Sequence, residues 1–261
     1  MKAAARLARM RGAQAGVAAA TLGIAVMVKL FYRDADSRAL AWLLGPTAML
    51  VEALTGIEFS HVPGSGWLSQ THWVVIAPAC AGVNYLVIAF CMSAFQGIAA
   101  LRRTPALTGW LVFSGLSAVV VTVLVNSLRI WLSLRAFRSD PAGGLLSAEA
   151  LHRLTGVVVY YVFLFFHYQL VSYMLRVVAG LRTATIPVFP GLIPLFWYLL
   201  VTLLVPIIHR SELLASERFI RHGGTVFLTS LVLALALGAL WTGTRVPGRR
   251  SGAVRNGDQP L

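Results

Sequence analysis

The sequence predicts an all-α fold, a polytopic integral membrane bundle of six helical spans. The stretch 39–55 adds either a re-entrant or interfacial helix or, if it crosses, a seventh span. Three observations predict this. Of 261 residues, 58% are hydrophobic and 12% are charged, about half the charge of a globular domain. The mean hydropathy is +0.77, which implies more apolar surface than one soluble core hides. The apolar residues also gather in stretches of about 20, the length a helix needs to cross a bilayer. The same numbers exclude a soluble enzyme, a disordered chain and a collagen-like chain.

The spans are expected around 14–31, 76–100, 107–129, 154–178, 187–208 and 223–242. The first is too long for a signal peptide and lacks a small-residue cleavage site, so it reads as a retained span or signal anchor. Residues 39–55 are awkward: the stretch is short, Gly45-Pro46 interrupts it and Glu52 lies within it. Around one transmembrane domain, 14–243, the sequence sets a basic N-terminus, 1–13, and a basic, loose tail, 244–261.

Charge gives the orientation. The chain carries 22 basic and 9 acidic residues, net +13. The bases sit in short runs beside apolar segments, as cytoplasmic span ends do, so membrane lipid rather than nucleic acid is the expected neighbour. Lys2, Arg6, Arg9 and Arg11 place the N-terminus in the cytoplasm. Arg102-Arg103, Arg176, Arg182 and the tail fall on the same side if 39–55 does not cross.

Three groups could carry chemistry. The first is Cys80, in Ala77-Pro78-Ala79-Cys80-Ala81-Gly82-Val83-Asn84-Tyr85. Pro78 suits a first helical turn, which puts Cys80 near the outer N-terminus of the second span. A helix N-terminus favours the nucleophilic thiolate. Gly82 admits a close backbone or peptide, and Asn84 lies beside it as a supporting residue. The alternative is a small buried cysteine, which is how Cys91 reads. The two cysteines, eleven residues apart on one span, would lie about 16 Å from each other, too far for a disulfide.

The second group is Asn126-Ser127-Leu128-Arg129, at the outer end of the third span. Asn126 and Arg129 share a helix face. An arginine there costs free energy unless it is paired, working at an oxyanion or carboxylate, or snorkelling to headgroups. Arg135 and Arg138 suit snorkelling or pairing with Asp140.

The third group is His152, with Ser147 as N-cap before it and Gly156 on the same face leaving room beside the ring. A histidine near a thiol is the usual base; the alternative is an interfacial polar residue. His167, deep in the same span, is expected to bond to a neighbouring helix. His61, His72, His209 and His222 fall in predicted loops and read as solvated. No HExxH, GxSxG, P-loop, GxGxxG or Cys/His cluster occurs, and no cofactor or metal is expected.

At Cys80-Ala81-Gly82, Asn126 to Arg129, and His152 to Gly156, the chain resembles the exosortase/archaeosortase family of membrane cysteine transpeptidases. That family has a Cys-Ser-Gly box, an Asn-x-x-Arg box, and a His with a Gly four residues later. The resemblance covers roughly 35–180, including Gly45-Pro46-Thr47-Ala48 and Leu54-Thr55-Gly56. The Ala-Cys-Ala-Gly-Val-Asn-Tyr run looks most like the exosortase K subgroup. Ala81 departs from the common serine, so any role of that hydroxyl is absent here or replaced.

The resemblance implies a sorting transpeptidase of a prokaryotic, bacterial inner (cytoplasmic) membrane, with its site on the outer or periplasmic face. Its partners would be C-terminal tails of secreted proteins, each with a short motif, a transmembrane helix and a basic cluster. A lipid or glycan at the cell surface would be the acceptor, and family members often accompany exopolysaccharide production. Cys80 would be the nucleophile, Arg129 the oxyanion donor and His152 the acid/base. Asn126, Gly82, Gly156 and Asn84 would support or orient. Two alternatives are a membrane cysteine endopeptidase that only hydrolyses, and a non-enzymatic component of an export or polysaccharide complex.

Overall fold

In the computed structural model, the described residues are 2–70, 74–139, 148–179, 189–209, 212 and 216–243. The predicted tail at 244–261, and with it His72, Asp140, Ser147 and Arg182, lies outside the described residues. The architecture is helical with one small sheet. It runs α1 (Lys2–Asp34), α2 (Ala41–Thr55), β1 (Ser60–Val62), β2 (Gly66–Ser69) and β3 (Val74–Ile76). There follow α3 (Val83–Ala100), α4 (Thr104–Ser139), α5 (Ala148–Ala179), α6 (Leu192–Leu199), α7 (Val205–His209) and α8 (Glu217–Gly243). Among the described residues, five stretches are long and apolar enough to cross a membrane, in α1, α3, α4, α5 and α8. The protein is therefore membrane-embedded.

The helices overrun the predicted spans because hydropathy marks where lipid begins, not where a helix begins. Residues 2–13 of the expected basic N-terminus are helical and run continuously into the first span as part of α1. The second span, like the sixth, starts later than expected. Val74-Val75-Ile76 is β-branched and pairs with Trp67-Leu68-Ser69 as a strand. Pro78 then holds Ala77 extended, at φ −78° and ψ 166°, and the α-helix begins only at Val83.

In the sixth predicted span, 187–208, the helix begins at Leu192 and is composite. A π-helical turn over Leu200–Leu204 links α6 to α7. Pro206 supplies the reason: its ring would clash with the Thr202 carbonyl in a regular helix, and a wider turn relieves it. Gly191, at the start of α6, is held inside the bundle. Its carbonyl accepts the Tyr161 hydroxyl at 2.8 Å.

The stretch 39–55 becomes α2, 15 residues long, or about 22 Å. That is shorter than the roughly 30 Å hydrocarbon core. Leu43, Leu44, Thr47, Ala48 and Val51 are buried, and the helix packs on α4. Glu52 accepts the Phe59 backbone N–H at 2.5 Å, tying the helix to the chain that enters the sheet.

The core sits around α3. Two-thirds of its apolar window is buried (67%) against 11% for α1, so α3 is central and α1 peripheral. Two polar contacts lock them antiparallel. Gln14 Nε2 donates to the Ile98 carbonyl at 2.8 Å, satisfying a terminal carbonyl of α3. At the other end Lys29 Nζ donates to Asn84 Oδ1 at 2.7 Å. Cys91 is buried as packing. His167 bonds a neighbouring helix as expected, with Nε2 2.9 Å from Ser93 Oγ.

Candidate active site

The chain around Cys80 turns a sharp corner. Pro78–Cys80 forms one 3-10 turn, with the Cys80 N–H donating to the Ala77 carbonyl at 2.8 Å. Gly82 then adopts φ +71°, a left-handed conformation that side chains disfavour, and caps α3. Cys80 is therefore three residues ahead of the first α-helical residue, not within its first turn. Its side chain is half-buried and lies within electrostatic reach of Tyr32 and Tyr160. On the side where a Cβ would point, Gly82 faces α4 rather than an incoming peptide. A Cβ there would meet Thr122 Cγ2 at 3.2 Å and Asn126 Cγ at 3.3 Å, so the space belongs to α4. Ala81, where the resembled family has serine, is 1% exposed and packs in the core.

Asn126 is fully buried, and both ends of its amide are used. Nδ2 donates to the Cys80 carbonyl, and Oδ1 accepts the Tyr160 hydroxyl at 2.8 Å. This orientation is forced, because a carbonyl cannot donate. Tyr160 spends its one proton on Asn126 and so accepts from Arg129 Nη1, at 3.3 Å. Arg129 Nη2 lies 3.1 Å from His152 Nε2. A guanidinium only donates, so Nε2 accepts and this ring is neutral, with its proton on Nδ1. A directed chain thus runs from Arg129 through Tyr160 and Asn126 to the Cys80 backbone, and a second branch runs from Arg129 to His152.

Arg129 is held by packing as well. Its Cζ lies 5.2 Å from the Tyr160 ring centroid, within cation–π range, and Tyr160 stacks on Tyr85 at 5.0 Å. Gly156 makes room for the guanidinium rather than for the histidine ring, since a Cβ there would stand 3.1 Å from Arg129 Nε. Arg129 Nε is buried and has no hydrogen-bond partner among the described residues. Arg135, one and a half turns on, stacks over Trp131 at 5.4 Å.

Arg129, His152 and Tyr160 border a cavity of about 280 Å³. Tyr32, Asn84, Arg129, His152 and Gly156 line it. Ala79 and Gly82, which flank Cys80 in the chain, line it too. The structure therefore brings Arg129, His152, Gly156, Gly82 and Asn84 to one cavity, while Cys80 and Asn126 stand behind its lining and join it through the Cys80 carbonyl and Tyr160.

Three of the histidines expected in loops lie in regular elements. His61 is not in a loop. It lies in β1, with its ring 4.6 Å from Trp67 and Nε2 3.4 Å from Ser37 Oγ. His222 is also not in a loop: it lies on α8 and lines the cavity. His209 falls in α7. The residues that sequence reasoning underrated are Tyr160, Tyr198, Thr202 and His222. For Tyr160 a signal existed: His152, Gly156 and Tyr160 recur every four residues and share one helix face.

Among the described residues, no three His, Cys, Asp or Glu side chains converge as metal ligands would. No protein-family model matches the chain, and neither a curated protein nor a solved structure does.

Proposed function

We propose that the protein is a membrane cysteine transpeptidase that sorts secreted proteins. In this reading it cuts their C-terminal tails and passes the new C-terminus to a lipid or glycan acceptor. One observation carries the proposal. The backbone of the only half-exposed cysteine among the described residues is bonded, through Asn126 and Tyr160, to an arginine that also holds a histidine. The resemblance of the three boxes to the exosortase/archaeosortase family points the same way.

The first step follows from these residues. Cys80 attacks the scissile carbonyl as thiolate. Arg129 donates to the developing oxyanion, where one lost donor costs about 3–4 kcal/mol. His152 Nε2 leaves Arg129 Nη2 to carry the thiol proton to the leaving amine. Asn126 holds the nucleophile's backbone and the oxyanion donor's support in register. The apolar surroundings limit water and favour transfer over hydrolysis. In this reading the site faces the outer side of a bacterial inner membrane, where secreted tails would arrive.

The test is co-expression with a secreted protein ending in a motif, a transmembrane helix and a basic cluster. Mass spectrometry then reads the new C-terminus. Wild type is expected to leave an added group there, whereas hydrolysis alone would leave a free carboxyl. Cys80→Ala, Arg129→Ala and His152→Ala should leave the tail uncut. Normal processing by Cys80→Ala overturns the reading.

A further inference from the structure

Resting on that reading, we propose that His222 of α8 is a second catalytic histidine, the base that takes the acceptor's proton in the transfer step. The C-terminal helices do more than fill the membrane. Tyr198 of α6, Thr202 of the π-helical turn, and His222 and Val226 of α8 all line the cavity that holds Arg129 and His152. His222 and Val226 are four residues apart and share a face. That face is turned inward: α8 packs on α5, and Val226 is buried. The charged pair Glu217 and Arg221 is turned outward, with side chains 82% and 75% exposed. Of the ionisable groups in the first three turns of α8 whose side chains are described, His222 is the one aimed into the cavity.

A second base spares His152 a second departure from Arg129. His152 Nε2 rests on Arg129 Nη2 and must leave it to carry a proton. Arg129 is also where the next oxyanion forms, and a second base lets the Arg129–His152 pair stay engaged during transfer. An incoming hydroxyl or amine must still lose a proton as it attacks the thioester. His222, on another helix lining the same cavity, can take that proton. Beside it the Thr202 hydroxyl donates to the Tyr198 carbonyl at 2.5 Å, leaving its oxygen free to accept from the acceptor. The step balances without a redox partner. The acceptor's oxygen or nitrogen bonds to the carbonyl carbon, the C–S bond breaks, and the electron pair returns to the Cys80 sulfur. The proton passes to His222 and then to the thiolate. The ligand class is a protic nucleophile, an alcohol or amine, entering between α5, α8 and the π-helical turn.

The experiment separates the two steps in the detergent-purified full chain, with p-nitrophenyl butyrate as acyl donor. The burst of nitrophenolate reads acylation of Cys80. Formation of butyl butyrate from added n-butanol reads transfer. Hydroxylamine, a nucleophile reactive enough to need no base, reads thioester accessibility. His222→Gln is expected to keep the burst within about twofold and to slow ester formation about 100-fold. Hydroxylamine should release the acyl group at the wild-type rate. Ester formation at the wild-type rate in His222→Gln overturns the inference while leaving the thioester reading intact. Loss of the burst in His222→Gln also overturns it, because the residue would then serve folding or the first step. A burst that survives in Cys80→Ala, or is missing in wild type, brings down the thioester reading itself.

Discussion

The Tyr160 hydroxyl donates to Asn126 Oδ1 at 2.8 Å, and that bond joins the two halves of the site. On one side Asn126 holds the Cys80 carbonyl; on the other Tyr160 accepts from Arg129. α4 and α5 are thereby registered against the corner that carries the thiol. Buried amides are costly unless both ends are bonded, so the fold itself enforces the alignment.

Replacing Asn126 by Asp therefore does more harm than its size suggests. A carboxylate has no donor for the Cys80 carbonyl and sets oxygen against oxygen. Tail processing in membranes with matched protein levels should fall about 100-fold. Tyr160→Phe keeps the stacking on Tyr85 and loses only the hydroxyl, so its loss should be smaller, about 10-fold. Equal rates for Asn126→Asp and wild type would show that the Cys80 carbonyl contact is incidental.

Arg129→Lys tests whether charge alone suffices. A guanidinium reaches Tyr160 and His152 with different nitrogens, whereas one ammonium cannot span both in a planar fork. The expected loss is about 100- to 1,000-fold in processing rate. A lysine enzyme retaining half the wild-type rate would reduce Arg129 to a point charge.

How much of this was legible in the sequence depends on residue chemistry. Cys80, Asn126, Arg129 and His152 stand out because rare polar groups at span ends are costly, so their presence asks for a reason. Tyr160 was hidden by company: it is one aromatic among Tyr161, Phe163, Phe165 and Phe166, and only its partners distinguish it. His222 was lost for a different reason. Glu217, Arg218 and Arg221 lower local hydropathy and pushed the expected span start past it, yet α8 begins at Glu217. The corner at Pro78 was half-read. Proline announced a turn, but not that the turn would be 3-10 and stand apart from α3.

Away from the site, Ser93 and His167 offer a stability test. The 2.9 Å bond between them is buried, and the Trp110 indole donates to the Ser93 carbonyl at 2.9 Å. Ser93→Ala removes the hydroxyl partner of His167. Interhelical bonds of this kind in membrane proteins contribute about 0.6 to 1.7 kcal/mol. The variant should unfold earlier in detergent and keep its processing rate once folded. A processing defect without a stability loss would place His167 in the chemistry instead.

Gly156 and Gly82 separate positioning from folding. At Gly156 a methyl group would stand 3.1 Å from Arg129 Nε, and a guanidinium on a long side chain can yield a few tenths of an ångström. Gly156→Ala should therefore fold with a nearly unchanged melting temperature. Its Arg129 donor is displaced, however, so processing should fall about 10-fold, since small misplacements of a donor are expensive in a transition state. At Gly82 the backbone itself is left-handed at φ +71° and Thr122 stands 3.2 Å away. Gly82→Ala should cost about 1 kcal/mol or more in stability. Measuring melting and processing for both variants gives opposite signatures: rate without stability at 156, stability first at 82. Full activity in a well-folded Gly156→Ala enzyme would mean that the placement of Arg129 does not limit the reaction, and the oxyanion role would have to pass to another donor.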